Sequence, residues 1–409
     1  MTINNEHNKL NVPNLRFPEF QGEWEKMRLD AFTERVMRKN KDNKSKLPLT
    51  ISAQYGLVDQ ITFFNKVIAS TDMSNYYLLK KGEFAYNKSY SSDYPWGAIK
   101  RLDNYEQGAL SSLYICFTPQ DNVESDFILQ YFESPKWHKG VSEIAVEGAR
   151  NHGLLNVSVQ DFFHTYHYVP KDKKEQIKIA KLLMLLDERI ATQNKIIDKL
   201  QSLIKGLNDT LYAQHGDEVM TSFAELGTSY SGLSGKSAQD FGSGKPFITY
   251  LNVYSNNVIN ENEFQYVAIK DGEKQNIVEY GDVLFTLSSE TPNEVGIGSV
   301  FLGKEKVYLN SFCFGIHITN KEVAFPPFLS YYVSSTAFRK FIYPFAQGST
   351  RFNLCKADFE KASIKLPTLE NQKRIYSILS HIDNKIETER QMLELYNSQK
   401  QYLLRQMFI

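Results

Sequence analysis

A chain of 409 residues exceeds one ordinary core and has room for two domains with connectors. Basic and acidic residues balance at 47 each, and neither half departs far from neutrality (28 against 26 through Gly216, 19 against 21 beyond it), so bulk charge announces no nucleic-acid or membrane-surface binder and such contacts must come from local patches. The three cysteines, Cys116, Cys313 and Cys355, lie far apart without a CxxC or Cys/His cluster, which argues against a zinc module or disulfide framework and fits a reducing cytoplasm; the longest apolar run, residues 182–186, is far short of a membrane span.

In chain order, residues 1–14 form a polar tail and residues 15–169 a first domain. RVMRKNKDNKSK (35–46) holds six cations and one acid and reads as a loop before a strand at 47–52. It is either a solvated charge run or a phosphate-contacting loop through Arg35, Arg38, Lys39, Lys41, Lys44 and Lys46. KKGEFAYN (80–87) is a strand behind a turn glycine, Gly82. In the following loop, KSYSSDYPWG (88–97), Lys88, Tyr90, Tyr94 and Trp96 either line a groove or pack inward. LSSLYICF (110–117) is a strand and FILQYFESPKWHK (127–139) a short amphipathic helix. GARNHG (148–153) sets Arg150 beside turn glycines, as a DNA contact or as closure of the domain, and LNVSVQDF (155–162) reads as the last strand and turn.

Pro170 opens a long helix predicted to run to residue 215, whose apolar stripe steps by four and three: Ile179, Leu183, Leu186, Ile190, Gln193, Ile197, Leu200, Ile204, Leu207, Leu211. A 3.5-residue repeat over ten positions is a coiled-coil seam, and a helix of about 40 residues spans roughly 60 Å at 1.5 Å per residue.

The second half repeats the first, with a period near 197 residues. A second domain covers 216–366 and a second helix 367–409. EYGDVLFT (279–286) matches KKGEFAYN, setting Gly281 on Gly82 and Asp282 on Glu83; LNSFCFGI (309–316), PFLSYYVSSTAFRK (327–340) and FNLCKADF (352–359) match the later segments. Pro367 opens the second helix, where Gln372 aligns with Gln176 and Asp383 with Asp187. Its stripe is Ile375, Leu379, Ile382, Ile386, Glu389, Leu393, Tyr396, Lys400, Leu403, Met407, with the polar residue in the slot of Gln193. Ser288, Ser289 and Asn293 in 287–296 are candidate donors to base edges, Arg351 in GSTR (348–351) matches Arg150, and Lys236 and Lys245 in a Gly/Ser-rich loop are phosphate candidates. Residues 65–77 and 228–244 have no counterpart in the other copy. A shared frame with unrelated loops implies one architecture presenting two surfaces; drift after duplication leaves the same pattern. The fold class is α+β: two similar αβ domains, each followed by a long helix.

LRFPEFQGEWEKMRL (15–29), the two αβ domains and two helices carrying Pro-x4–5-Gln-x2-Ile-x3-Leu-x3-Asp-x2-Ile together resemble the specificity subunit of type I restriction–modification systems, over nearly the whole chain. The resemblance implies two target recognition domains, each reading one half of a split double-stranded DNA target. It implies that the helices pack as an antiparallel coiled coil that spaces the halves and docks two methyltransferase subunits, giving the molecule pseudo-two-fold symmetry. It implies no active site, metal or cofactor in this chain: S-adenosylmethionine belongs to the methyltransferase subunits, which methylate adenine N6, and ATP and Mg2+ to two motor–nuclease subunits. Without the resemblance, the same features describe a coiled-coil adaptor whose variable domains bind proteins.

Fragments that mimic catalytic motifs fail at named residues. GLSGKS (232–237) has Tyr230 where a phosphate loop needs glycine, and the later GSGK is followed by Pro246. FPPF (325–328) begins with Phe325, which has no side-chain acceptor for a target amino group. His164 and His167 read as surface or packing residues, and Asp271, Glu273 and Lys274 as a solvated turn.

Overall fold

The computed structural model describes residues 11–66, 68–145, 154–215 and 218–409, so Arg150 lies outside the described residues. The chain divides into two compact units, Met1–Asn194 with Met392–Ile409, and Lys195–Gln391; each holds one αβ domain and a stretch of both long helices.

In unit 1, β1 (Glu25–Arg28) leads into β2 (Thr33–Arg35), β3 (Pro48–Ser52), β4 (Gly56–Asp59), helix α1 (Gln60–Phe64), β5 (Tyr77–Lys80), β6 (Phe84–Asn87), β7 (Ala98–Arg101), β8 (Gln107–Leu110) and β9 (Ile115–Pro119). They form two four-stranded sheets, ordered β2-β9-β6-β7 and β4-β3-β8-β5. Helices α2 (Ser125–Glu133), α3 (His138–Ile144) and α4 (Val159–Phe163) follow. Next β10 (Tyr166–Val169) closes antiparallel on β1 and hands the chain to α5 (Lys173–His215). Successive strand side chains point to opposite faces. Phe84, Tyr86, Ile115 and Phe117 therefore share a core with Phe127, Phe132 and Phe162 of the helices, while Ala85 and Cys116 face Leu49, Leu79 and Leu110 of the second sheet. A sheet covered on both faces needs unbroken apolar strands, which is why FAY and ICF do not alternate.

Unit 2 repeats this plan. Its elements are β11 (Val219–Thr221), α6 (Phe223–Leu226), β12 (Gly227–Ser231), β13 (Phe241–Ile248), α7 (Tyr250–Ser255), β14 (Gln265–Val267), β15 (Val283–Thr286), β16 (Ser288–Ser289), β17 (Gly298–Val300), β18 (Tyr308–Leu309) and β19 (Cys313–Ile318), then α8 (Pro326–Tyr332), α9 (Thr336–Ile342), β20 (Ala346–Gln347), β21 (Phe352–Leu354), α10 (Lys356–Lys361), β22 (Ile364–Leu366) and α11 (Leu369–Gln406). The central sheet, β12-β19-β15-β17, matches β2-β9-β6-β7, and β11 pairs β22 as β1 pairs β10. Register is kept as well: Phe84 lies opposite Phe117 and Val283 opposite Ile316, while the parallel pairs Leu49–Leu110 and Ile248–Leu309 correspond. One expectation is corrected. Residues 155–162 are not a strand and turn but lead into α4, because Ser158 caps it, accepting from the Asp161 N–H at 3.0 Å and donating to the Asp161 carboxylate at 2.6 Å.

The helix motif is explained by how each long helix is rooted. Gln176, buried in the first turn of α5, donates to the Pro170 carbonyl at 2.8 Å and accepts from the Glu124 N–H, at the start of α2, at 2.7 Å. Gln372, buried in α11, donates to the Pro367 and Val323 carbonyls at 2.8 Å each and accepts from the Phe325 N–H, at the start of α8, at 2.8 Å. One turn beyond Leu183 and Leu379, Asp187 accepts from Gln130 at 2.9 Å and Asp383 from the Tyr331 hydroxyl. In unit 1 the opening segment adds a second tie: Arg16 pairs in bidentate fashion with the buried Glu175 at 2.7 and 2.8 Å, and Trp24 donates to the same carboxylate at 3.2 Å.

The stripe residues all point inward. Ile179, Leu183, Leu186, Ile197, Ile375, Leu379 and Ile386 are buried; Ile190, Leu200, Leu207, Ile382, Leu393, Tyr396 and Leu403 are half-buried. At the roots the stripe belongs to the domain cores. Ile179 and Leu183 pack with Leu404, Met407 and Phe408 in unit 1, and Ile375 and Leu379 meet Leu207 and Leu211 in unit 2. In each unit the start of one long helix therefore lies beside the end of the other, an antiparallel pairing reinforced in unit 1 by the Asp187–Lys400 ion pair.

Two outcomes are expected. Gln372→Ala strands buried partners and lowers stability by about 2–4 kcal/mol in urea denaturation, whereas Lys373→Ala on the exposed face changes it by less than about 0.5 kcal/mol. His167 is fully enclosed, with Tyr131 Oη 2.9 Å from Nδ1 and Thr165 Oγ1 2.7 Å from Nε2, and burial pushes its pKa down to about 3. Because the unfolded chain binds a proton at this site between its ordinary value near 6.5 and about 3, stability falls as pH drops through that window. His167→Gln flattens this slope in denaturant melts collected from pH 7 to 3.5.

Candidate nucleic-acid interface

Each domain turns into its central sheet through the same device. Gly82 (φ +85°) and Gly281 (φ +92°) occupy the left-handed region that glycine adopts without strain. The next residue is a buried acid that accepts a backbone N–H three residues back: Glu83 from Lys80 and Asp282 from Glu279, both at 2.8 Å. The partners of the acids differ. Glu83 takes Arg38 at 2.8 Å, whereas Asp282 takes the Tyr230 hydroxyl at 2.6 Å and His317 Nδ1 at 2.9 Å, with burial raising its pKa.

In unit 1 the basic run divides into structural and free cations. Arg38 is tied to Glu83 and the Leu78 carbonyl, and Lys39 donates to the Asn75 carbonyl at 2.9 Å and lies 4.2 Å above the Tyr77 ring. Arg35, Lys41, Lys44 and Lys46 are exposed. Of the aromatic loop, Tyr90 is exposed, while Trp96 and Tyr94 pack partly against the two cores of the unit and Lys88 is half-buried.

Unit 2 gathers several candidates at one cleft of about 700 Å³, lined by Tyr250, Leu251 and Tyr254 of α7, Ser288, Ser289, and Arg351. Antiparallel pairing of β16 with β21 sets Ser288 opposite Asn353, which brings the 348–351 turn over the serines. Arg351 Nε and Nη2 lie 3.3 and 3.2 Å from Ser288 Oγ. Glu294 accepts from Tyr254 at 2.7 Å, Thr291 at 2.8 Å and Ser289 at 3.1 Å, bonds that hold its carboxyl below the usual range. Asn293 is exposed beside it, its carbonyl taken by Arg339. In unit 1 the corresponding pairing is the Ser89–Leu154 bridge.

Two lysine candidates part company. Lys245 is exposed on β13. Lys236 is withdrawn from the surface: its ammonium sits 2.6 Å from Glu273 and 2.6 Å from the Ala268 carbonyl with the side chain 5% exposed, and the pairing holds the Glu273 carboxyl down to about 2. Glu273 is thus half of an internal ion pair and not a solvated turn residue. Sequence reading missed α7, whose Tyr250, Leu251 and Tyr254 stand where unit 1 has the β3–β4 hairpin. The available signal was the Thr249 cap, which accepts from the Asn252 N–H at 3.2 Å. Lys236→Met is expected to lower the urea midpoint by leaving Glu273 without its partner, and Lys245→Met to leave it unchanged.

One αβ frame, built twice and rooted each time on paired long helices, defines a two-domain scaffold. Residues 231–395 match the family model of the type I restriction modification DNA specificity domain. The fold is shared with a chain from structural work on complex assembly and conformational transition of the type I R-M system (TM-score 0.56, 16% identity, covering 93% of this chain and 96% of that one). It is shared also with the type I restriction-modification system S subunit from M. genitalium (TM-score 0.51, 15% identity, covering 97% and 99%). The match to the type I restriction modification DNA specificity domain thus falls in the second half of the chain, and over nearly its whole length the chain shares the fold of that S subunit.

Proposed function

We propose that this chain is the sequence-reading, non-catalytic subunit of a type I restriction–modification complex, with unit 1 and unit 2 each recognising one half of a split duplex target. The observation that carries the reading is the repeated frame with unlike surfaces: strand order, register and the buried acids correspond, while α7, which lines the cleft beside Arg351, stands where the first copy has the β3–β4 hairpin. Two methyltransferase subunits dock on the long helices and methylate adenine N6 with their own S-adenosylmethionine; two motor–nuclease subunits bring ATP and Mg2+. Support for docking comes from a second apolar stripe on the outer helix faces. In unit 1 it comprises Leu182, Leu185, Met392, Leu395 and Tyr402, and in unit 2 Ile196, Leu203 and Ile378, all at least 36% exposed. These positions fit heptad spacing, as a partner helix requires. Such a complex works in the cytoplasm, and among the described residues no helix is long and apolar enough to cross a membrane.

Methylated adenines mapped in cells with and without the gene test this reading. A split motif with a fixed spacer should disappear on deletion, and exchanging residues 221–363 for those of a relative should change one half only. An unchanged methylation pattern while the methyltransferase is expressed would sink it. Within unit 1, replacing Lys41, Lys44 and Lys46 by Gln should weaken binding to duplexes of any sequence. The dependence of log K on log salt should flatten by up to about one for each phosphate no longer neutralised.

A further inference from the structure

We propose that Arg351 is a specificity-determining residue that reads a guanine, with the exposed face of α7 seated in the same groove; this rests on the DNA-reading function above. The turn that carries Arg351 is built to present it. Gly348 stands at φ +141°, and a Cβ there would fall 2.1 Å from the Arg351 carbonyl oxygen, so only glycine allows the close reversal between β20 and β21. β21 then pairs with β16 and delivers the guanidinium to Ser288.

The guanidinium is positioned yet uncommitted. Its contacts are two long hydrogen bonds to one neutral hydroxyl and the face of the exposed Phe312 ring, 6.0 Å away; no carboxylate pairs with it among the described residues. By contrast, Arg339 donates to the Asn293, Val295 and Gly296 carbonyls, and Arg38 to Glu83. A fork held loosely in plane suits bidentate donation to O6 and N7 of guanine, the commonest specific arginine contact in the major groove. The neighbours distinguish base edges from backbone. Glu290 and Glu294 line the same cleft and repel phosphates, while an exposed carboxylate accepts from the amino group of cytosine. Leu251, 68% exposed on α7, offers apolar contact to a base face or thymine methyl.

The test uses the full chain expressed with its modification partner, comparing methylated-adenine motifs for wild type, R351A and R351K. With either variant, one guanine-specified position in one half of the motif should become degenerate, with discrimination there falling about ten- to a hundredfold, while the other half and the spacer persist. Lysine fails to rescue because it lacks the planar fork. An intact wild-type motif that neither variant relaxes overturns the role of Arg351 alone. Uniform weakening by R351A that R351K restores overturns it too, since a phosphate contact needs only charge. A wild-type chain that specifies no motif overturns the DNA-reading function and this proposal together. Because Arg351 is exposed, both variants should melt with the wild type, and that melt separates lost recognition from lost folding.

Discussion

A buried glutamine in the first turn of each long helix is the constraint on which the rest depends. The first N–H groups of a helix have no intrahelical partner, and a helix of about 40 residues in water takes little of its stability from propensity. Asp172 and Thr368 answer the first, accepting from the Lys174 and Asn371 N–H groups; Gln176 and Gln372 answer the second by joining three pieces of chain: the proline carbonyl that precedes the helix, the helix itself, and the N-terminus of a short helix in the domain it leaves. The amide both donates and accepts, whereas an ionised Glu only accepts and Leu does neither, so neither could take its place. With the root fixed, the direction of each helix relative to its own domain is fixed as well.

What the domain does with that rigid root differs between copies. Glu83 and Asp282 occupy equivalent positions and brace the same turn, but the first is neutralised by Arg38 and the second is shared by Tyr230 and His317. Selection on the frame is therefore selection on backbone geometry, and the side chains that satisfy it are free to change with the surface. The same holds for the parallel strands: β3 runs on into a hairpin, whereas β13 gives way to α7, so equivalent starting points lead to unlike projections.

This division explains what was legible in the sequence. The frame repeats because register and burial restrict it, so the matching strands of the two copies, the Pro–Gln helix openings and the apolar stripe could be read from residues alone. The function of Gln176, Asp187 and their counterparts could not, because their partners, Glu124, Gln130, Phe325 and Tyr331, are distant in sequence. Pattern alone assigned the whole stripe to a seam, yet its ends are domain core, where Leu183 shares a cluster with Leu404 and Leu207 packs against the cluster that holds Leu379. Charge misled in the same way: Lys236 and Arg38 sit in loops that read as free cations, and tertiary partners occupy both. Only Arg35, Lys41, Lys44, Lys46, Lys245 and Arg351 of the cationic candidates among the described residues keep an exposed side chain without an ion pair.

That shortage of free cations bears on how such a chain would hold DNA. Sequence-independent affinity for duplex grows with the number of phosphates neutralised, and a chain of zero formal charge has few to offer in either unit. If each unit reads one half-site as proposed, it would bind that half-site weakly on its own. Joining two weak readers on one rooted pair of helices converts the second encounter into an intramolecular one, so that affinity appears only when both half-sites stand at the right separation. A basic surface would erase this advantage by holding the chain wherever phosphates are found. On the proposed reading, the neutral balance favours a split target over scattered phosphates, and the clamp on the backbone would fall to the subunits that dock on the helices.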